Sequence, residues 1–286
     1  MSLESATASA SVLSNYSLEM TAKDRPALDA AADLIAPGTQ IAVTFLPNEE
    51  MDERIEAAKH IRALGFEPMP HLSARRITSR DELVSMIERL TAEAQINRAF
   101  LVAGDPPDPA GPFEDALSML ETGVFEANGI EIIGIAGHPE GHPVMDSKRL
   151  WHFMGRKLEA IHHRGMSPLI VTQFGFDPDA FGKWLSEVRE CNITAPVRLG
   201  VPGPAGIKRL LRYAAFCGVG ASVSVLKKYG ISLGNLMGNA GPDKLVEALS
   251  APIRNDTHGT SLHFYPFGGL EPTVKWISSY KARSEN

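Results

Sequence analysis

The sequence predicts a single (β/α)8 barrel of the TIM type, and three observations favour this α/β fold class. Eight short apolar runs alternate with helical patterns along most of the chain. Strands separated by helices pair in parallel through right-handed crossovers, and 286 residues suit one such barrel. No Gly-x-Gly-x-x-Gly follows the first run, so the fingerprint of a dinucleotide-binding open sheet is absent from the sequence.

The predicted strands are short apolar runs bounded by turn residues. The fourth stops abruptly at Gly104-Asp105-Pro106, because glycine permits unusual backbone angles and proline cannot extend a ladder. In chain order the eight predicted strands are Asn15–Met20, Gln40–Phe45, Glu67–Pro70, Arg98–Val102, Glu131–Ile135, Pro168–Gln173, Val197–Val201 and Ser261–Tyr265.

Helical patterns fill the gaps between these strands. One of the clearest helices is predicted to begin at Ser79, with Glu82 three residues later completing a capping box. Its apolar residues recur at helical spacing and predict one buried face. Another helix is predicted over residues 207–216, and extra helices are predicted within Gly218–Pro252.

Composition narrows the class of protein and its partners. The formal net charge is −6, which argues against nucleic acid and anionic membrane surfaces as partners. No apolar run approaches the roughly 20 residues that span a bilayer. Cys191 and Cys217 are predicted to be buried thiols in a reducing compartment, which places the protein in the cytoplasm. Residues 1–14 are predicted to be a flexible tail and 15–286 one catalytic domain, with a homo-oligomer left open.

Polar side chains stand where the predicted strands end. Because the C-terminal ends of barrel strands meet at one rim, where barrel enzymes build their sites, these side chains are expected to converge. Each alone has a structural explanation: Asp105 would cap a turn, and His263 would be satisfied in the core. Pro139 and the lack of thiolates argue against zinc, so no metal is predicted. The strand-end group comprises Glu19, Thr44, His71, Asp105, His138, His142, Gln173 and His263.

Seven segments in chain order resemble the methylenetetrahydrofolate reductase family, in its short bacterial form that consists of the barrel alone. The resemblance spans nearly the whole chain. The segments are Ser-Leu-Glu at 17–19, Val-Thr-Phe at 43–45, Pro-His-Leu at 70–72, Gly-Asp-Pro-Pro at 104–107, Gly-His-Pro-Glu-Gly-His-Pro at 137–143, Val-Thr-Gln-Phe-Gly-Phe-Asp at 171–177 and Leu-His-Phe-Tyr-Pro at 262–266.

The resemblance implies a flavin-dependent oxidoreductase that interconverts 5,10-methylenetetrahydrofolate and 5-methyltetrahydrofolate in one-carbon and methionine metabolism, in either direction. FAD would lie at the C-terminal rim, where NADH or NADPH reduces it before folate binds. Glu19 falls on the general acid that protonates folate N10, and a carboxyl acts so near neutral pH only where its surroundings favour the protonated form. Asp105 falls beside the flavin and the pterin, and Gln173 falls on a pterin contact.

The resemblance also implies flavin contacts, and two of them depart from the family pattern. Ala103 replaces an arginine and His138 replaces a tyrosine, so the flavin is expected to be held less tightly. Two alternatives stay open: an NADH-dependent methylene-tetrahydropterin reductase without flavin, and a barrel that binds a methyl-pterin without redox activity. Glu19 and Asp105 argue against the second. The implied flavin contacts are Thr44, His71, Ala103, Gly104, Asp105, Phe113, His138, His142 and Lys157.

Overall fold

The computed structural model describes residues 12–47, 49–220, 226, 229 and 239–284. Most of the predicted tail, residues 1–11, lies outside the described residues, as does most of the segment predicted to hold extra helices. Val12 and Leu13 were assigned to that tail, but both are buried in the core. Packed residues are therefore found as early as Val12, three residues before the predicted boundary.

Eight parallel strands close into a barrel, which confirms the predicted (β/α)8 fold. The barrel order is β1-β10-β7-β6-β5-β4-β3-β2, and β8 and β9 form a separate antiparallel pair. The strands are β1 Ser17–Met20, β2 Gln40–Val43, β3 Glu67–Ser73, β4 Arg98–Val102, β5 Ile132–Gly137, β6 Ser167–Phe174, β7 Val197–Pro202, β8 Ala205–Gly206, β9 Asn239–Ala240 and β10 Ser261–Tyr265.

Helices follow the barrel strands and cover the outer face of the sheet. Within the described ranges they are α1 Arg25–Ala31, α2 Met51–Ala63, α3 Arg80–Ala94, α4 Ala116–Leu120, α5 Val124–Ala127, α6 Ser147–His163, α7 Pro178–Glu190, α8 Ile207–Cys217, α9 Asp243–Asn255 and α10 Leu270–Ser284. None of the helices in this part of the chain has the length and apolar character needed to cross a bilayer.

The N-terminus of α3 differs in one detail from the predicted capping box. Ser79 is the N-cap, and its hydroxyl accepts a hydrogen bond from the Glu82 backbone N–H at 3.0 Å. The Glu82 carboxylate does not return to Ser79. It accepts from the backbone and the hydroxyl of Thr78, at 2.7 and 2.6 Å, so the reciprocal half of the motif is displaced by one residue.

Several strand ends also differ from the predicted ones. The third strand continues from Pro70 to Ser73, because its ladder with β4 begins only at His71, beyond both of its prolines. The fifth continues to Gly137, which pairs with Thr172 of β6. The second ends at Val43 rather than Phe45. These shifts leave the order of the strands unchanged.

Strand residues alternate between the barrel interior and the layer of helices. In β1, Leu18 and Met20 pack in the large core between the sheet and the helices, which turns Ser17 and Glu19 inward. A second apolar cluster fills part of the interior and comprises Met69, Phe100, Leu169 and Val171. Because of this alternation, the carboxyl group of Glu19 lies inside the barrel, one residue before the end of β1.

Candidate active site

Glu19 is the centre of a compact polar cluster inside the barrel. Its Oε2 lies 3.7 Å from His71 Nε2 on β3 and 3.7 Å from His263 Nε2 on β10. The side chains are 16% exposed for Glu19, 15% for His71 and 2% for His263. A carboxyl group shielded from water and flanked by two imidazoles can exchange protons with them and with a ligand above it.

Ser17 completes this cluster from below. Its Oγ is hydrogen bonded to His263 Nδ1 at 2.8 Å, and both side chains are buried. The bond fixes the orientation of the ring and presents Nε2 to Glu19. The sequence analysis did not single out Ser17, although its place two residues before Glu19 puts both on one face of a strand.

Tyr265 packs edge-on against His263, with ring centroids 4.9 Å apart. Its hydroxyl donates to the carbonyl of Thr172 at 2.9 Å. Burial raises the pKa of Tyr265 well above its usual value, and Glu19 and Cys217 act in the same direction. Tyr265 therefore stays neutral and forms a wall of the cluster.

His71 is the imidazole of the cluster nearer to solvent. It stacks on Phe100 with ring centroids 4.6 Å apart. Burial lowers the pKa of His71, the Glu19 carboxylate opposes this effect, and His263 adds to it. With the Glu19 charge included, the pKa of His71 is still below its usual value, so the imidazole is neutral near pH 7.

Asp105 occupies a different part of the rim. Its carboxylate accepts a hydrogen bond from Arg76 Nη2 at 2.5 Å, and its side chain is 61% exposed. Asp105 follows β4 and Arg76 follows β3, so the pair joins two neighbouring strand ends. Among the described residues it pairs with Arg76 rather than with the Glu19 cluster, and sequence analysis did not anticipate Arg76.

Gly104 has a steric role beside this pair. Its φ is +98°, and a Cβ there would overlap the Ser73 Oγ at the end of β3. Only glycine fits both the backbone angle and the space. The preceding residue, Ala103, accepts a hydrogen bond through its carbonyl from the Arg75 backbone N–H at 2.9 Å.

Three polar atoms at the ends of β2 and β3 are candidates to hold a cofactor. Thr44 Oγ1, Ser73 Oγ and Arg76 Nε are buried and have no hydrogen-bond partner among the described residues. Buried polar atoms are normally paired, so each of the three is available to a hydrogen-bonding group from outside the described residues. They fit a ligand with several hydrogen-bonding groups, such as a flavin nucleotide. Thr44 was predicted as a flavin contact, whereas Ser73 and Arg76 were not.

Three further predicted flavin contacts lie after β5 and on α6. The rings of His138 and His142 meet edge to face with centroids 5.1 Å apart. Burial, followed by His142 and Lys157, lowers the pKa of His138 to about 4. Burial also lowers the pKa of Lys157, and Asp115 opposes that effect. Because His142 and Lys157 both affect the pKa of His138, the three side chains lie near one another.

Two predicted site residues have structural roles in the described part of the chain. Phe113 is 4% exposed and packs in the core between sheet and helices. Gln173 accepts a hydrogen bond from the Phe174 backbone N–H through its side-chain Oε1, at 3.0 Å. It lies where the register between β6 and β7 shifts.

A cavity of about 390 Å³ opens between α6 and α7, beside His138 and outside the Glu19 cluster. Trp151 and Trp184 form its most prominent wall, with their ring centroids 6.2 Å apart in a stacked arrangement. In the described residues no group of three His, Cys, Asp or Glu side chains is placed to hold a metal ion.

The two cysteines differ from their predicted burial. Cys191 is exposed, so the prediction that it is buried is wrong; its place directly after the end of α7 turns it to solvent. Cys217, the last residue of α8, is half-buried rather than fully enclosed. Both are free thiols.

A parallel barrel with an enclosed carboxyl group and two imidazoles at the C-terminal ends of its strands belongs to the class of barrel proteins that build their sites at this rim. The family model described as "Methylenetetrahydrofolate reductase" matches residues 20–268. The chain therefore belongs to the methylenetetrahydrofolate reductase family, which confirms the resemblance noted in the sequence.

The curated relatives match only part of this chain. Methylenetetrahydrofolate reductase 2 of Saccharomyces cerevisiae is 28% identical over 166 residues, covering 54% of this chain and 25% of the yeast protein. Methylenetetrahydrofolate reductase (NADH) 1 of Arabidopsis thaliana is 26% identical over 184 residues, covering 58% of this chain and 30% of the Arabidopsis protein. A probable methylenetetrahydrofolate reductase (NADPH) of Caenorhabditis elegans is 28% identical over 165 residues, covering 55% of this chain and 24% of the worm protein. The matches thus span less than a third of each relative.

Two solved structures share the fold. An uncharacterized protein from Clostridium thermocellum that binds two copies of 5-methyl-5,6,7,8-tetrahydrofolic acid superposes with a TM-score of 0.60 at 12% identity, covering 94% of each chain. Dihydropteroate synthase from Thermus thermophilus superposes with a TM-score of 0.51 at 12% identity, covering 94% of this chain and 95% of the synthase chain. At such identities these structures support the barrel fold alone.

Proposed function

We propose that this protein interconverts 5,10-methylenetetrahydrofolate and 5-methyltetrahydrofolate, with NADH or NADPH as the other substrate and FAD as the cofactor. The observation that carries the proposal is the enclosed Glu19 cluster at the barrel rim of a chain in this family. Folate as the ligand class is supported by the family. The compartment we propose is the cytoplasm, and a role in methionine supply is consistent with either direction.

Glu19 is proposed to protonate folate N10 as the five-membered ring opens to an iminium ion. Its position inside the barrel excludes most water, so its proton is directed to the bound ligand rather than exchanged with solvent. His263 and His71 flank the carboxyl group on two sides, each at 3.7 Å. General acid catalysis of this kind contributes about 10²- to 10⁴-fold to a rate.

The residues at the ends of β2 and β3 fit a flavin, with Thr44, Ser73 and Arg76 presenting unpaired polar atoms toward it. Bound flavin would accept hydride from the nicotinamide and deliver it to the folate. Ala103 leaves one family contact unfilled, and Arg76 places a guanidinium on the neighbouring strand end. Asp105, paired with Arg76, is proposed to orient the pterin together with Gln173.

The choice between NADH and NADPH is open, because relatives of both kinds match the chain. Ala103 in place of arginine favours a second candidate, a reductase that uses NADH directly without tightly held flavin. A barrel that binds a methyl-pterin without redox activity is a third.

The absorption spectrum of the purified protein, followed by kinetics of each half-reaction, separates these candidates. Flavin absorbance with NAD(P)H-dependent bleaching, restored by methylenetetrahydrofolate, supports the proposal. A colourless protein that oxidises NADH with this folate supports the second candidate, and folate binding without turnover supports the third.

Replacing Glu19 by glutamine should leave flavin reduction by NAD(P)H nearly intact and slow folate reduction about 10²- to 10⁴-fold. Glu56→Gln on the exposed face of α2 is the matched control and should leave both rates unchanged. Wild-type folate reduction by Glu19→Gln would show that another group is the acid.

A further inference from the structure

We infer that His71 returns a proton to Glu19 after each turnover, whereas His263 only orients the carboxyl group. The inference rests on the proposed function, in which Glu19 gives its proton to the folate. It goes beyond that function because it assigns different tasks to the two imidazoles that face the same carboxylate oxygen.

The surroundings of the two rings differ, although both Nε2 atoms lie 3.7 Å from Glu19 Oε2. His263 is 2% exposed, and its other nitrogen is bonded to Ser17, which is fully buried. A proton on His263 therefore has no route to solvent through Ser17. His71 is 15% exposed, about as much as Glu19 at 16%, so it is the one of the two rings that solvent reaches, and Phe100 lies on one of its faces.

The return of the proton to Glu19 consists of two proton transfers, and no electron is transferred. After Glu19 has protonated the folate, its carboxylate faces neutral His71. His71 then takes one proton from solvent and becomes an imidazolium. The imidazolium donates its Nε2 proton to the Glu19 carboxylate, which leaves both groups neutral. The two atoms must approach from 3.7 Å to a hydrogen bond of about 2.9 Å for this step.

The Glu19 carboxylate favours protonation of His71 in this sequence, whereas burial and His263 oppose it. Burial and His263 keep the pKa of His71 below its usual value, and the Glu19 carboxylate raises it. His71 therefore binds a proton more readily once Glu19 has lost its own. The other titratable groups near the cluster stay neutral, because burial and Glu19 raise the pKa of Cys217 to about 11 and that of Tyr265 further.

A first experiment tests this coupling without using activity. The protein is labelled with ¹⁵N at its histidines, and the imidazole titrations are followed by NMR in wild type and Glu19→Gln. The pKa of His71 should fall in the variant, while His263 should keep its tautomer until Ser17→Ala removes its partner. Identical His71 titrations in both proteins would overturn the inference, whether or not the proposed reductase activity exists.

A second experiment separates the two imidazoles kinetically, with saturating FAD present. In His71→Asn steady-state folate reduction should fall about 10²-fold further than the first turnover does, because only the later turnovers need a proton returned to Glu19. Added imidazole should restore it. In His263→Asn the first turnover should slow as well, without rescue. His60→Asn, at the surface His60–Asp29 pair, is the control. If His71→Asn lost the same fraction of its rate in the first turnover and in the steady state, and imidazole restored neither, the return of a proton through His71 would be refuted.

Discussion

Replacing Asp256 by asparagine should lower the free energy of unfolding by about 3–5 kcal/mol, because it breaks a buried ion pair and leaves the charge of Arg189 in place. Asp256, which follows α9, is 5% exposed. Its two oxygens accept from Arg189 Nε at 2.6 Å and Nη2 at 3.0 Å. The remaining Nη1 donates to the carbonyls of Ile193 and Ala195, at 2.6 and 2.9 Å. Asparagine would turn an amide N–H₂ toward these donors.

Urea denaturation at pH 7 measures this loss, with Asp52→Asn as the matched control. Asp52 also pairs with an arginine, Arg89, but its side chain is 77% exposed. Exposed pairs contribute about 0–1 kcal/mol, so the control should unfold close to wild type. A loss below about 1 kcal/mol in Asp256→Asn would refute the argument that burial makes this pair costly to break.

The same pair predicts a dependence on pH. Burial opposes the charge on Asp256, but hydrogen bonds from Arg189 and Thr260 outweigh it and lower the pKa of Asp256. A carboxyl with a lowered folded-state pKa stabilises the fold above its unfolded pKa of about 3.9. That stability is lost as the pH falls through the folded-state pKa. The difference between wild type and Asp256→Asn should therefore stay constant from pH 7 to about 5 and shrink below about 4.

Three further changes test the rim. Ala103→Arg should increase the fraction of flavin retained after gel filtration, since charge-assisted hydrogen bonds are about twice as strong as neutral ones; unchanged retention would contradict this. Asp105→Asn should raise the flavin reduction potential and slow folate reduction less than Glu19→Gln does, which potentiometric titration and single-turnover kinetics would check; the Arg76 pair should moderate the shift. Gly104→Ala should cost about 1–3 kcal/mol in urea denaturation, and Ser73→Gly should recover part of that loss by removing the overlapping Oγ.

The order of strands was predictable from the sequence because each barrel strand is a short apolar run separated from the next by a helical pattern. Strand ends were less predictable. The third strand was predicted to end at Pro70, yet β3 continues to Ser73, since the ladder to β4 starts beyond the prolines. Whether a proline ends a strand depends on which neighbour is paired at that level, and the sequence does not contain that information.

The candidate site was likewise predictable only in part. Glu19 and His71 were recognised because they end predicted strands within segments that resemble the family. Their arrangement depends on closure of the barrel, which brings β3 and β10 to either side of β1. Arg76 was missed because its link to Asp105 crosses between two loops. Ser17 was missed because a serine inside a strand has no distinctive pattern.

The hydrogen bond between Ser17 and His263 joins residues 246 positions apart, across the pair of strands that closes the barrel. A chain leaving the ribosome therefore carries β1 for almost its whole synthesis before β10 exists to complete it. Until then one edge of β1 is open to pairing with other chains. A product that stops before His263 would lack both the strand that covers this edge of β1 and the imidazole that faces Glu19, so the last barrel strand completes the sheet and the cluster together.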